Sequence, residues 1–289
     1  LSSGEALVVV VQRGGSEFYI DGVLKEQLDV VHKRVTEKDE DFFFAVDGKE
    51  GAGKSVFAMQ LAKYVDPSFD MSRVCFTAKE FQDAILKAEK GEAVVFDEAF
   101  RGLSSRGALT EVNKLLIGLM MECRQKNLFV FVVLPSFFLL DKYAALWRCR
   151  GLFHVYRREG RRGFWVFFND EKKKLLYLHG RKDYSYDHPK SHMRGRFLEQ
   201  YVVDEDAYRA RKKDALGKTS RSTRAEVYKA HRDLLLWVLH HEFKQSTREI
   251  ASLMKDFGVE LKHVAIHEAI QAKEKELRLE KVVSIPGSE

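Results

Sequence analysis

The sequence predicts an alternating α/β protein: a parallel sheet covered by helices on both faces, with a small all-helical domain at the carboxyl end. Three observations predict it. Apolar runs of strand length and without polar alternation (Phe42–Val46, Ala93–Asp97, Leu128–Leu134) alternate with segments of helical spacing, the pattern of strands buried on both faces. Residues 180–225 are polar, basic and poorly periodic. From Ala225 to about Leu279 the chain then reads as helix after helix. At about 150 residues per domain, 289 residues hold about two folded units. With 45% hydrophobic and 32% charged residues and only four prolines, the composition excludes a disordered or collagen-like chain.

The elements follow in order. Leu7–Val11 and Glu17–Ile20 flank Arg13-Gly14-Gly15, which predicts a β-hairpin, and helical spacing follows over Glu26–Thr36. Phe42–Val46 leads through a glycine-rich loop into a helix over Ser55–Val65, stopped by Asp66-Pro67. Arg73–Thr77 is a short strand, Ala78–Lys90 a helix and Ala93–Asp97 a strand. Asn113–Arg124 is helical, Leu128–Leu134 a strand, Asp141–Cys149 helical and Leu152–Tyr156 the last strand of the core. Phe164–Phe168 and Leu175–Leu178 bracket the charged run Asn169–Lys174 and predict a second hairpin. These readings divide the chain into an amino-terminal hairpin and helix (1–41), a core (42–180), a basic linker or arm (181–224) and a helical domain (225–289).

Three scattered cysteines, Cys75, Cys123 and Cys149, exclude a disulfide framework or a CxxC metal knuckle and point to a reducing compartment. The longest apolar stretch, Leu128–Leu140, is split by Pro135-Ser136 and is too short to span a bilayer. The amino end carries no secretory pattern. The expectation is a soluble protein of the cytoplasm, the host's if the chain is viral, with no membrane partner.

Gly48-Lys49-Glu50-Gly51-Ala52-Gly53-Lys54-Ser55 matches G-x-x-x-x-G-K-[ST] in full. The glycines let the backbone curl so that its N–H groups face phosphate oxygens. Lys54 reaches the β- and γ-phosphates, the Ser55 hydroxyl ligates Mg²⁺, and the following helix offers its positive end to the anion. Ala93–Phe96 ends in Asp97-Glu98. Asp97 is placed to hold the Mg²⁺ shell, and Glu98 to act as general base on the attacking water. With a strand between the two motifs, this arrangement resembles the P-loop NTPases that have an additional strand and a catalytic glutamate and hydrolyse ATP. ATP and Mg²⁺ are therefore the expected cofactors.

Met120–Asn127 leads directly into Leu128–Leu134, then Pro135-Ser136 and a helix. On these residues the chain resembles the FtsK/HerA class of DNA-pumping ATPases, which includes viral packaging ATPases and Zot-like proteins of mobile elements. The resemblance spans about residues 42–156. It implies that Arg124, by position, acts as an arginine finger on a neighbouring subunit's γ-phosphate, a task suited to a permanently charged, bidentate guanidinium. Arg101 and Arg106, just after the Asp97-Glu98 pair, are rival trans-acting arginines. One departure stands out: the class commonly carries a Gln sensor before the proline, and this chain has Leu134 there, leaving Ser136 as substitute.

The formal charge of +6 is unevenly spread. Residues 148–232 hold 23 Lys and Arg against 11 Asp and Glu, a net of +12, while 1–147 carry −4 and 233–289 carry −2. Clusters at Arg157-Arg158, Arg161-Arg162, Lys172-Lys173-Lys174, Arg181-Lys182 and Arg211-Lys212-Lys213 suit a phosphate backbone irrespective of base sequence. The run Phe164–Phe168 can stack on bases or pack the hairpin onto the core. In the tail, Ser246 or Thr247 caps a helix whose Ile250, Ala251 and Met254 face inward. Gly258 breaks the chain, and Val259–Gln271 carries Lys262, His263 and His267. The pattern fits a loose helix-turn-helix or a three-helix assembly domain. The function expected is an ATP-hydrolysing, ring-forming homo-oligomeric motor that moves or packages DNA, double-stranded by preference, for a virus or mobile element. A nucleotide-switched replication or partition factor, and an ATPase for phage protein assembly or secretion, are the alternatives.

Overall fold

The computed structural model describes residues 8–97, 106–218, 224–256 and 258–283. The chain divides into two compact units, the first ending at Lys218 and the second spanning Thr219–Glu289.

The first unit opens with β1 (Val8–Arg13) and β2 (Ser16–Asp21), antiparallel and turning at Gly14-Gly15. Asp21 then caps α1 (Gly22–Glu37) by accepting from the backbone N–H groups of Val23 and Leu24. The main sheet contains β3 (Phe42–Asp47), β4 (Val74–Cys75), β5 (Ala93–Phe96), β6 (Phe129–Val133), β7 (Gly151–Arg158), β8 (Arg161–Phe168) and β9 (Met193–Arg196). Its order is β4-β5-β6-β3-β7-β8-β9, with the first five strands parallel and the last two added antiparallel. The strand that follows the glycine loop's helix in space is not the Asp97 strand: β6 lies between β3 and β5. This is an α/β sheet of the P-loop NTPase type with the additional strand inserted.

Period-2 geometry explains the unbroken apolar strands. Phe42, Phe44 and Val46 enter one core, and Phe43 and Ala45 enter the other. Likewise Phe129, Phe131 and Val133 face the first, and Val130 and Val132 the second. The first face is covered by α2 (Lys54–Val65), α1 and the β1–β2 hairpin. The second is covered by α3 (Ala78–Lys87), α4 (Arg106–Lys126) and α5 (Asp170–Gly180). Every residue of α2 from Val56 to Val65 is buried, so its polar groups need partners inside the fold. Gln60 donates to the carbonyls of Leu198 and Gln200, both at 2.8 Å, and Lys63 donates to Phe69 O at 2.8 Å.

Three expectations are corrected. Asn169–Lys174 does not turn a hairpin but starts α5: Asn169 accepts from Lys172 N at 3.1 Å, and Asp170 and Glu171 sit in the first turn, where a helix favours acids. The hairpin instead joins β7 to β8 through Glu159-Gly160. The segment expected as a linker or arm folds onto the core. It supplies β9, a stretch in which Phe197 and Val202 are buried, and α6 (Glu205–Lys218). Gln200 there accepts from Tyr19 N at 2.9 Å, and Val202 O from Ser16 Oγ at 3.1 Å. Residues 141–149 form a shorter helical piece than expected, a π-helical turn over Ala144–Arg148.

The second unit holds α7 (Arg224–His241), α8 (Thr247–Asp256) and α9 (His263–Val283) around Leu236, Ile250, Ile266 and Ile270. Ser246 and Glu249 form the capping box at the start of α8, with Ser246 N donating to Glu249 Oε2 at 2.8 Å and Glu249 N to Ser246 Oγ at 3.3 Å. No helix among the described residues is long and apolar enough to cross a membrane.

Candidate nucleotide site

The glycine loop joins the carboxyl end of β3 to α2, at the sheet edge where ligands of parallel α/β proteins bind. Its shape depends on glycine. Gly48 has φ +135° and a Cβ there would lie 1.9 Å from Val155 O. Gly53, at φ +98°, caps α2 in the left-handed region with the ring of Phe197 2.9 Å from where a Cβ would be. Lys49 and Glu50 are exposed at the loop's crest, and Ala52 is buried beneath it. Lys54 folds its ammonium back across the loop, 2.7 Å from Gly48 O and 3.0 Å from Lys49 O. The amine therefore stands in the hollow that the loop curls around.

The two sequence motifs meet. Ser55 Oγ donates to Asp97 Oδ1 at 2.8 Å across 42 residues, and Asp97 is 0% exposed. A fully buried carboxylate beside a loop hydroxyl fits the hard oxygen shell of Mg²⁺. Ser55 and Asp97 are the residues that would hold the ion; when bound, it neutralises charge on the β- and γ-phosphates. Among the described residues no group of three or more His, Cys, Asp or Glu is placed to hold a metal ion.

Asp97 has two further partners that the sequence reading missed. Tyr208 Oη donates to its Oδ2 at 2.6 Å, and Lys212 Nζ lies 3.1 Å from the same oxygen and 3.0 Å from Tyr208 Oη. Both stand on α6. Burial, and then the charge of Asp97, push the Tyr208 phenol above its ordinary range, which keeps it a hydrogen-bond donor. A cavity of about 620 Å³ opens here. The glycine loop and Asp97 line one side, Leu134 and Pro135 another, and Arg162, Tyr201, Arg209, Lys212 and Lys213 close it.

A second buried carboxylate organises the loop that follows β6. Asp47, 0% exposed at the end of β3, accepts from Phe137 N at 2.7 Å, from Tyr186 Oη, and pairs with His154 Nδ1 at 2.8 Å. Burial and Asp47 together raise the Tyr186 phenol. Ser136, expected as a sensor, sits beside this cluster with its hydroxyl 3.2 Å from Tyr186 Oη.

The remaining expected residues scatter. Glu98 and Arg101 fall outside the described residues, as does the side chain of Arg106, whose backbone opens α4. Arg124 lies at the carboxyl end of α4, against Asp39 just before β3. That is the opposite edge of the sheet from the glycine loop, so Arg124 does not meet the nucleotide site of its own chain. Arg157, Arg158, Arg161 and Arg162 are all exposed on the β7–β8 hairpin tip, at the same edge as the loop. Arg157 reaches the loop itself, its Nη2 2.6 Å from Gly51 O. Arg162 pairs with Glu199 at 2.7 Å.

Lys173 is corrected as a nucleic-acid contact. It is 0% exposed, and its ammonium donates to the carbonyls of Ala145 (2.9 Å) and Leu146 (3.1 Å) and pairs with Asp170 at 3.0 Å. Lys172 and Lys174 are half-buried and bound to Ser191 O (3.0 Å) and Asp170 (2.6 Å). Trp165 is likewise no base-stacking platform. It is fully buried, stacked on Phe57 at 5.9 Å. In the second unit Lys262, His263 and His267 are exposed.

No family model matches the chain, and no curated protein matches it. Among solved structures it is similar to the N-terminal domain of zonular occludens toxin from Neisseria meningitidis, with 14% sequence identity and a TM-score of 0.31, over 59% of this chain and 98% of that one.

Proposed function

We propose that the chain is a Mg²⁺-dependent ATPase that acts on DNA, and that it works as a ring-forming motor moving or packaging DNA for a virus or mobile element. The observation that carries the ATPase reading is the junction of Ser55 and Asp97, 2.8 Å apart beneath a full G-x-x-x-x-G-K-S loop. Phosphates would lie on Gly48–Ser55, with Lys54 on their oxygens and Glu98 orienting water from the end of β5. Two observations favour DNA as the partner. The net of +12 falls between residues 148 and 232, and the exposed arginines of the β7–β8 tip stand at the nucleotide edge. Work on a polyanion at that edge would be coupled to the loop through Arg157 and Gly51.

The direct test measures ATP hydrolysis with and without duplex DNA, alongside particle mass with an ATP analogue. Stimulation by DNA of any sequence and a closed oligomer are expected. A monomer in every nucleotide state with DNA-independent turnover sinks the motor. A second reading, a nucleotide-switched DNA-binding factor, is favoured by one observation: α6, which holds Asp97, is the last element before the helical unit. Footprints on a defined sequence, dependent on that unit, would select it.

A further inference from the structure

α6 reaches the nucleotide site with few apolar anchors. Among its described side chains only Tyr208 is buried. Beyond the packing of Tyr208 against Phe76 and Tyr201, the helix is held by polar and cation–π contacts: Arg211 donates to Met71 O at 2.6 Å, lies over the Phe76 ring and faces Glu80 at 3.6 Å, while Tyr208 and Lys212 hold Asp97. A helix docked in this way buries little apolar surface, so its release is inexpensive compared with opening the sheet. Its key contact is also in the wrong place for a purely structural role. Lys212 puts a monovalent cation 3.1 Å from the carboxylate oxygen of Asp97 that does not bond Ser55.

A buried carboxylate requires a countercharge. Lys212 supplies it, and Tyr208 donates to the same oxygen at 2.6 Å. A Mg²⁺ ion held by Ser55 and Asp97 would draw on the same carboxylate, and an ammonium at hydrogen-bond distance from that group would oppose the ion by like-charge repulsion. Lys212 and Mg²⁺ are therefore rivals for Asp97.

We infer that α6 is a latch on the metal site: Lys212 and Tyr208 hold Asp97, and the arrival of Mg²⁺–nucleotide drives Lys212 off Asp97 and loosens α6. The inference rests on the nucleotide reading given above and adds to it a regulated element. The trigger is the divalent cation rather than the nucleotide alone. The element it frees is the one that leads into the helical unit, so metal loading is converted into a mechanical event at residues 205–218.

Hydrogen exchange on the full chain tests this without any substitution. Amides of the glycine loop and of α6 are followed in the free protein, with ATP and a chelator, and with a non-hydrolysable ATP analogue and Mg²⁺. Loop amides gain protection wherever nucleotide binds, while α6 amides exchange faster only when Mg²⁺ is also present. Loop protection with unchanged or greater α6 protection under Mg²⁺ overturns the latch. Absence of loop protection in every state overturns the nucleotide reading, and the latch with it. A second measurement titrates Mg²⁺ against binding of a fluorescent ATP analogue. Lys212→Met should lower the half-saturating Mg²⁺ about tenfold, as expected for removal of one charge-assisted rival. Lys212→Arg should keep the parental value. An unshifted Lys212→Met, in a protein that still binds nucleotide, also overturns the proposal.

Discussion

Lys54 and Asp97 show how much of this site depends on single charges. The ammonium of Lys54 rests on the carbonyls of Gly48 and Lys49. Lys54→Ala should therefore weaken nucleotide binding at least tenfold and abolish turnover, measured by fluorescent-nucleotide titration and phosphate release. Glu98→Gln should keep binding while slowing hydrolysis about a hundredfold or more, the usual scale for loss of a general base; hydrolysis at the parental rate would remove Glu98 from that role. The buried thiols give a different check. Burial pushes Cys75 and Cys123 up to about 12 and raises Cys149 as well. At pH 8 a thiol with such a value is ionised in only about one molecule in ten thousand, so an aromatic disulfide reagent should find no fast thiol in the folded chain and three after denaturation. A single rapidly reacting cysteine would contradict the placement of that residue. Lys173→Met tests the inward turn of a residue that looks like a surface charge. It strands the carbonyls of Ala145 and Leu146, at a cost of about 1–3 kcal/mol. Denaturant unfolding should show that loss, with DNA affinity unaltered.

Among the elements, legibility follows burial. The strands β3, β5 and β6 could be read because both their faces are covered, which forces unbroken apolar runs. The glycine loop could be read because the positive φ at Gly48, Gly51 and Gly53 leaves so little choice of residue. β9 could not, since its Met-Arg-Gly-Arg run pairs along one edge of β8 and is only half-buried. α6 could not because Tyr208 and Lys212 dock it through hydrogen bonds to Asp97, which produce no apolar stripe. Their spacing of four residues on one helix face is the only trace, and it lies inside a basic cluster that invites a nucleic-acid reading. At α5, short apolar runs around a charged segment fit a hairpin as well as a capped helix. The spacing of Lys173, Leu176 and Tyr177 on its buried face decides for the helix. The β7–β8 hairpin carries a prediction of its own. Arg158 and Arg161 project from its tip, whereas Arg157 is committed to Gly51. Arg158→Glu with Arg161→Glu should weaken DNA binding and reduce its salt slope by about one unit per lost phosphate contact, leaving nucleotide affinity intact. Arg157→Glu should alter nucleotide affinity as well. Fluorescence anisotropy across a salt series, paired with nucleotide titration, separates the two, and equal effects of both substitutions on nucleotide would refute the division of labour.

At the scale of the whole molecule the chain is two units whose buried cores are of very unequal size. The first unit buries aromatic and aliphatic side chains on both faces of a seven-stranded sheet. The second gathers only Leu236, Ile250, Ile266 and Ile270 as fully buried residues among those described. Small units bury a smaller fraction of their surface and are correspondingly marginal, so heating should produce two transitions, with loss of the second unit's helices first. A ligand stabilises only what it binds, by about 2.7 kcal/mol at a hundredfold excess over its dissociation constant. Mg²⁺ with a non-hydrolysable ATP analogue should therefore raise the upper transition and leave the lower one in place. Calorimetry with circular dichroism reads both. A single transition that moves as a whole would show that the two units unfold together. A lower transition that shifts with nucleotide would instead mean that the state of the phosphate loop reaches the helical unit, the coupling that a nucleotide-switched DNA binder requires and a motor confined to its first unit does not.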